Sequence, residues 1–248
     1  MTVCIYDNSS ALGKAAGTDA ADLIQSAIHS NGRANIILAT GTSQFETLDH
    51  LVTATGIDWH KVIMFHLDEY IGLPVDHPAS FRKYLQERFV SKVPTLEATY
   101  FIQGDEDPGR ECARLNKIIA DHSIDVALVG IGENGHLAFN DPPADFGTGD
   151  PFIVVDLDQK CREQQLREGW FKSIDEVPRK AISMSIKQIL KSKNIICSVP
   201  GERKAIAVRN CLEEAVSNLY PASILQQHSN CTVYLDDLSA SLLSKNIA

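Results

Sequence analysis

The chain has 248 residues, enough to bury a substantial core, and its 44% hydrophobic and 22% charged residues are typical of a globular protein. Its formal net charge is −9 with no cluster of Lys and Arg, which argues against nucleic acid as a partner. No apolar run reaches the roughly 18 to 20 residues of a membrane helix, and no secretion signal opens the sequence. We therefore expect a cytoplasmic protein with no membrane partner.

Short apolar runs alternate with helical patterns along the chain. The apolar runs predict buried strands at 34–39, 61–67, 125–130, 194–199 and 231–235. The helical patterns cover 21–30, 44–54, 108–122, 203–215 and 221–228. Such alternation predicts a single-domain α/β fold over residues 1–248, a Rossmann-like three-layer sandwich with a mostly parallel sheet. In sheets of this kind ligands bind beyond the carboxyl ends of the strands.

The six cysteines are scattered and form no C-x-x-C pair. Scattered cysteines with apolar neighbours indicate buried, reduced thiols, and they do not indicate disulfides or a zinc site.

The stretch "DVALVGIGENGHLAFNDPP" (125–143) contains three glycines in the order G-x-G-x-x-G directly after an apolar run. A dinucleotide site requires the third glycine to open a helix. Here Pro142 and Pro143 follow too closely for a long helix, so we predict no nicotinamide or flavin cofactor.

The same loop presents polar side chains at the end of a strand, namely Glu133, Asn134, His136, Asn140 and Asp141. Histidine titrates near neutral pH, and a neighbouring carboxylate can orient it and tune its basicity. We interpret the loop as chemically active; the alternative is an ordinary polar turn with a surface histidine.

A second strand end lies in "MFHLDEYIGLP" (64–74). Because side chains alternate along a strand, we expect His66, Asp68 and Tyr70 to share one face, and Leu67 and Glu69 the other. Asp68 then stands where a catalytic carboxylate is expected, although an aspartate there could also simply cap the next turn.

Two further stretches predict a site for a single phosphate group. In "ILATGTSQ" (37–44) a Thr-Gly-Thr-Ser turn leads into a helix, whose first N–H groups attract anions. In "SVPGERKAI" the arrangement recurs with Gly201 and Lys204. The first turn lacks the lysine of a nucleoside triphosphate loop, but one lysine and one hydroxyl-rich turn suffice for a phosphate monoester.

Taken together, these segments resemble the glucosamine-6-phosphate deaminase family, which shares its fold with 6-phosphogluconolactonases. The matching stretches follow the family's order over nearly the whole chain: "ATGTS", "LDEYIGLP", "HPASF", "GIGENGHLAFNDP", "VPRKAISM" and "GERKA". Lactonases typically carry a G-E-D-G-H-T-A-S type of sequence in the histidine loop, which this chain lacks.

The resemblance implies a metal-free and cofactor-free aldose-to-ketose isomerisation with loss of ammonia, from an amino-sugar 6-phosphate to fructose 6-phosphate. His136, oriented by Asp141, would open the sugar ring, and Asp68 would move the proton from carbon 2 to carbon 1. The implied phosphate ligands are Thr40, Gly41, Thr42, Ser43 and Lys204. The family's phosphate-binding arginine has no clear counterpart, which leaves Arg162 and Arg167 as alternatives.

Two positions depart from the best-known bacterial members. Asn134 replaces an aspartate, and Asp141 replaces a glutamate, so the carboxylate beside the histidine is one methylene shorter. Both changes act on the environment of His136, and therefore on its orientation and its pKa.

Two other functions fit the resemblance. One is the hydrolysis of a sugar lactone, which needs a histidine to activate water but no base at carbon 2. The other is a non-catalytic sugar-phosphate sensor, a class that usually carries an added DNA-binding segment. Many relatives are oligomers, so a homo-oligomer is a further expectation.

Overall fold

The computed structural model describes residues 1–244, which contain ten strands and seven α-helices. The strands are β1 (Thr2–Tyr6), β2 (Ala34–Leu38), β3 (Val62–His66), β4 (Asp68–Tyr70), β5 (Ala98–Tyr100), β6 (Val126–Val129), β7 (Phe152–Asp156), β8 (Lys180–Met184), β9 (Asn194–Val199) and β10 (Cys231–Asp236). The helices are α1 (Ser9–Asn31), α2 (Phe45–Thr53), α3 (Phe81–Leu85), α4 (Pro108–Ile119), α5 (Gln159–Arg167), α6 (Ile186–Leu190) and α7 (Ala205–Glu213).

The large sheet contains seven strands in the order β1-β10-β9-β6-β2-β3-β5, and every neighbouring pair is parallel. Successive side chains of a strand point to opposite faces, so Ile36 and Leu38 pack in one core while Ile37 packs in the other. Helices α1, α2 and α3 contribute to the first core and α4, α6 and α7 to the second. This confirms the predicted three-layer α/β sandwich, in which a parallel sheet is covered on both faces.

A second, three-stranded antiparallel sheet, in the order β4-β8-β7, was not predicted. The large-sheet strand β3 ends at His66, and Asp68 begins a new strand of the small sheet. The amide of Met184 in β8 donates to the carbonyl of Leu67 at 2.6 Å, which ties the two sheets together at the residue between β3 and β4.

The prediction of one continuous strand carrying His66, Asp68 and Tyr70 on a single face was therefore wrong. His66 is completely buried, and its Nε2 accepts the amide N–H of Ile102 at 2.9 Å. Burial lowers the pKa of His66 to about 3, and the nearby Arg82 contributes to the shift. His66 is therefore a neutral structural residue.

Helix α1 begins twelve residues before its predicted start at residue 21. Its first half is rich in small residues and contains Gly13 and Gly17. A methyl group on Gly13 would lie 2.2 Å from Cβ of Glu46, and one on Gly17 would lie 2.7 Å from Cβ of His50. Glycine is required at both positions because α1 and α2 approach each other closely there.

The remaining differences are local. The segment predicted as a helix at 221–228 is a 3₁₀ helix over Pro221–Gln227.

All six cysteines are free, and five of them are buried. Among the described residues, no helix combines the length and apolar character needed to cross a membrane. The last part of the predicted domain, 245–248, lies outside the described residues.

Candidate active site

Three adjacent strands of the large sheet, β9, β6 and β2, direct their following loops to the same edge. The loop after β6 contains the histidine and lies between the two turns that were predicted to bind phosphate. Parallel strands all present their carboxyl ends at one edge of the sheet, so these three loops necessarily meet.

The turns after β2 and β9 have the same construction. Gly41 and Gly201 adopt φ values of 96° and 94°, a region that favours glycine. Each glycine is followed by a short 3₁₀ helix, Thr42–Gln44 or Glu202–Lys204, which leads directly into an α-helix. Each turn thus brings the start of a helix, with its unpaired N–H groups, to the edge of the sheet.

The loop after β6 pairs a buried histidine with a carboxylate. Nδ1 of His136 lies 3.2 Å from Oδ1 of Asp141. Gly132 donates its amide N–H to the carbonyl of His136 at 2.9 Å and leaves the imidazole ring just enough room. The next helix after β6 begins only at Gln159, which agrees with the argument against a dinucleotide site.

Asp141 is held by a network of polar contacts. Its Oδ1 accepts Nδ2 of Asn134 at 3.0 Å, and its Oδ2 accepts the amide of Asp158 at 2.9 Å. Burial favours a raised pKa for Asp141, but the contacts with His136, Asn134 and the Asp158 amide outweigh it and hold the pKa below its usual value. Asp141 therefore stays ionised, with its carboxylate facing Nδ1 of His136.

Asn134 connects this network to the main chain. In addition to its bond to Asp141, its Nδ2 donates to Oδ2 of Asp158 at 3.1 Å, and its Oδ1 accepts the amide of His136 at 3.1 Å. The side chain fixes the histidine loop without touching the imidazole ring itself.

Asp68 lies at the start of the small sheet and is 6% exposed. No residue in the range 1–244 donates a hydrogen bond to its carboxylate, in contrast to the neighbouring Glu69. Burial, and to a lesser degree the charge of Glu69, raises the pKa of Asp68 to about 8. A carboxylate with a pKa near neutrality can both take and return a proton, as a general base requires.

The adjacent carboxylate, Glu69, has a structural environment. It is completely buried and accepts hydrogen bonds from the amides of Tyr70, Phe81 and Arg82 and from the hydroxyl of Ser80. Nε of Arg82 lies 3.5 Å from Oε2 of Glu69. Burial raises the pKa of Glu69, and these four hydrogen bonds oppose that shift.

Seven of the predicted site residues line one cavity of about 460 Å³: Thr40, Gly41, Thr42, Ser43, Asp68, His136 and Lys204. Asn134 and Asp141 lie behind the imidazole ring and support it. Burial lowers the pKa of Lys204, and the carboxylates of Glu168 and Glu133 oppose that shift. Its ammonium group has no hydrogen-bond or ion-pair partner within residues 1–244, so it is available to an anion in the cavity.

The two arginines proposed as phosphate ligands do not line the cavity. Arg162 is buried, and its guanidinium donates to the carbonyls of Ile174 and Val177. Arg167 pairs with Glu133 at 2.5 Å. The arginine that lines the cavity is Arg203, which stands beside Lys204.

Sequence reasoning missed the contribution of α5 and the residue that follows it. Gln164, Gln165 and Glu168 all line the cavity. No local pattern identifies them, because they reach the site only through the packing of α5 against the small sheet. Only the structure shows that polar residues of α5 are buried, among them Arg162, Gln164 and Gln165.

One group of side chains within residues 1–244 has donor atoms close enough to hold a metal ion. It consists of His136, Asp141 and Cys161, whose donor atoms lie within 4.8 Å of one another. Burial, followed by the nearby carboxylates Asp141 and Asp158, raises the pKa of the Cys161 thiol well above its usual value. A protonated thiol beside a carboxylate is suited to hydrogen bonding, whereas metal binding requires the thiolate.

The chain is similar to known proteins over nearly its whole length. Residues 7–234 match the family model described as glucosamine-6-phosphate isomerases/6-phosphogluconolactonase. A glucosamine-6-phosphate deaminase of Lacticaseibacillus paracasei is 40% identical over 250 residues, covering 99% of this chain and all of the relative. One of Lactobacillus delbrueckii subsp. bulgaricus is 36% identical over 246 residues, covering 98% of this chain and all of the relative.

A solved structure of a monomeric glucosamine-6-phosphate deaminase superimposes with a TM-score of 0.90 at 34% identity, covering 98% of this chain and all of that one. A 6-phosphogluconolactonase from Neisseria gonorrhoeae, described as putative, shares the fold with a TM-score of 0.77 at 20% identity, covering 95% of this chain and 99% of that one. The family match and the two curated relatives extend over nearly the whole chain, and the chain therefore belongs to the glucosamine-6-phosphate isomerase/6-phosphogluconolactonase family of enzymes.

Proposed function

We propose that the chain converts glucosamine 6-phosphate and water into fructose 6-phosphate and ammonia, without a metal or another cofactor. The observation that carries this proposal is the meeting of three features in one cavity. The cavity is lined by Asp68, whose pKa is raised, and by His136, which lies beside the ionised Asp141. It is also lined by the two turns that begin with glycine and by Lys204. Its volume lies in the usual range for small-molecule sites.

The first step in this reaction is the opening of the sugar ring. His136 would remove the proton of the anomeric hydroxyl and return a proton to the ring oxygen. Asp141 would orient the imidazole for both transfers, because its ionised carboxylate lies beside Nδ1 and leaves Nε2 to exchange protons with the sugar.

The second step moves a proton between neighbouring carbons. Asp68 would take the proton from carbon 2, which gives an enolamine, and return it to carbon 1. The resulting imine at carbon 2 then adds water and releases ammonia, so the ketone oxygen comes from water. The carbonyl formed by ring opening accepts the electron pair during proton removal, and the carbon skeleton itself provides the electron sink.

The phosphate of the substrate would bind between the turns at 40–44 and 200–204, which we call the phosphate end of the cavity. The N–H groups of the two turns, the hydroxyls of Thr40, Thr42 and Ser43, and the ammonium group of Lys204 are its ligands. Binding there fixes the sugar by a group remote from the reacting carbons and orients carbon 2 toward Asp68.

The direct test is to incubate the purified protein with glucosamine 6-phosphate, galactosamine 6-phosphate and 6-phosphogluconolactone, and to measure ammonia, fructose 6-phosphate and free acid. We expect ammonia and fructose 6-phosphate in equal amounts from glucosamine 6-phosphate. Acid release from the lactone without ammonia from either amino sugar would replace the proposal with a lactonase, and binding without turnover would indicate a sensor.

Replacing Gly132 with alanine tests the role of the histidine. The added methyl group would lie 2.2 Å from Cε1 and Nε2 of His136, so the imidazole must leave its place beside Asp141. We expect kcat/KM for ammonia release to fall about 100-fold, the effect of displacing a reacting group by about 1 Å.

Gly149→Ala is the matched control for Gly132→Ala. Nothing lies within 4 Å of the methyl group that this change adds, and the glycine does not have a positive φ. Its kcat/KM should stay within about twofold of the unchanged protein. Equal activity of the two variants would remove His136 from the proposed mechanism.

A further inference from the structure

Glu168 places a carboxylate at the phosphate end of the cavity. It directly follows α5 and lines the cavity. A methyl group built on Gly41 would lie 4.0 Å from Oε2 of Glu168, so this oxygen faces the first phosphate turn. Its Oε1 accepts Nε2 of Gln164 at 2.9 Å, which holds the carboxylate in that position.

Glu133 has arginine partners, whereas Glu168 has no cationic partner within residues 1–244. Glu133 pairs with Arg167 at 2.5 Å and lies 3.7 Å from Nε of Arg203. Within residues 1–244, no Lys, Arg or His nitrogen lies within 4.0 Å of the Glu168 carboxylate, and its one hydrogen-bond partner is a neutral amide. Glu168 is thus a fixed negative charge that faces open cavity.

Lys204 shares the same space. Among the charged groups near Lys204, Glu168 has the largest effect in opposing the lowered pKa of this lysine. The phosphate end therefore contains a cation and a carboxylate that, within residues 1–244, has no ion-pair partner within 4.0 Å. An anion that binds to the lysine must also approach the carboxylate.

A phosphate monoester carries a charge of about −1.5 to −2 at pH 7. In a partly buried site the repulsion between such a group and a carboxylate a few ångströms away is weakly screened. The site would hold phosphate more tightly with a neutral side chain of the same shape at position 168.

We propose that Glu168 weakens the binding of the phosphate group and so limits the affinity of this enzyme for sugar 6-phosphates. The inference rests on the proposed function, since it assumes that the phosphate of the substrate occupies this end of the cavity. We therefore expect the substrate KM to be higher than it would be in the same site without this carboxylate.

Glu168→Gln tests the proposal, because glutamine keeps the shape and can still bond to Gln164. Calorimetric titration with inorganic phosphate and with fructose 6-phosphate should show about tenfold tighter binding by the variant. In the ammonia assay KM should fall by a similar factor, with kcat changed less than about twofold. The control is Glu163→Gln, which removes one negative charge from the same helix at a residue that does not line the cavity.

Unchanged or weaker phosphate binding by Glu168→Gln would overturn the proposal. Weaker binding of fructose 6-phosphate alone would also overturn it, because Glu168 would then favour the sugar phosphate by accepting a hydrogen bond from a sugar hydroxyl. An equal gain in Glu163→Gln would overturn it too, because the effect would then come from net charge. The titration requires no turnover, so it decides the role of Glu168 even if the protein releases no ammonia. The absence of ammonia release would refute the proposed function separately.

Discussion

Asp68→Asn is expected to lower kcat for ammonia release by about 10³-fold, within the range attributed to a general base. Asparagine has nearly the same shape as aspartate but cannot accept the proton of carbon 2. Binding of fructose 6-phosphate, measured by calorimetry, should change little, because the phosphate turns are untouched. Full ammonia release by this variant would eliminate the proposed mechanism.

The unfolding temperature of the variant separates this loss from misfolding. Because the pKa of Asp68 is about 8 in the folded protein and 3.8 is its ordinary value, the folded state retains the proton between these limits. The stability that this contributes is lost as the pH rises toward 8. Asp68→Asn carries no such charge, so its unfolding temperature at pH 8 should equal or exceed that of the unchanged protein.

The same titration sets the pH dependence of the reaction. The base must be ionised to act, so kcat/KM of the unchanged protein should fall as the pH is lowered through about 8. A flat profile from pH 6 to pH 8 would show that Asp68 does not limit the reaction in this range.

Glu69→Gln is expected to destabilise the fold by about 3 kcal/mol, the lower limit for breaking a buried ion pair. Both oxygens of Glu69 accept hydrogen bonds, and the amide group of glutamine would replace one acceptor with a donor. Arg82 would lose Glu69 as its buried partner and keep the more exposed Asp105, which lies 2.9 Å from its Nη1. The free energy of unfolding in urea measures the effect.

Glu106→Gln provides the control, since Glu106 is exposed on the surface and its replacement should change stability by less than about 0.5 kcal/mol. A loss below about 1 kcal/mol for Glu69→Gln would mean that the buried carboxylate contributes little. Asp68 and Glu69 are adjacent in sequence and of the same chemical type, yet the first is expected to control rate and the second stability.

The sequence was sufficient to predict the central part of the large sheet. Strands β2, β6, β9 and β10 are continuous apolar runs because helices cover both faces, and their observed bounds lie within one residue of the predicted ones. The edge strands β1 and β5 were missed. Both are only partly buried, so their sequences lack the apolar pattern of a central strand.

The small sheet could not be predicted for a different reason. Strand β4 has the sequence Asp-Glu-Tyr, which has no strand pattern, and it forms because β8 is positioned to pair with it. Such pairing depends on residues more than a hundred positions apart. The contribution of α5 and Glu168 also depends on residues distant in sequence, so it could not be predicted either. The turns after β2, β6 and β9 were recognisable because their glycine, histidine and lysine residues follow predicted strands.

The amide of Met184 donates to the carbonyl of Leu67 at the boundary between the two sheets. In the proposed reaction Asp68 belongs to the small sheet and the phosphate turns follow strands of the large one, so the way the sheets are joined sets the distance between the base and the anchored phosphate. A change that slid one sheet along the other would alter the length of the sugar that such a site accepts.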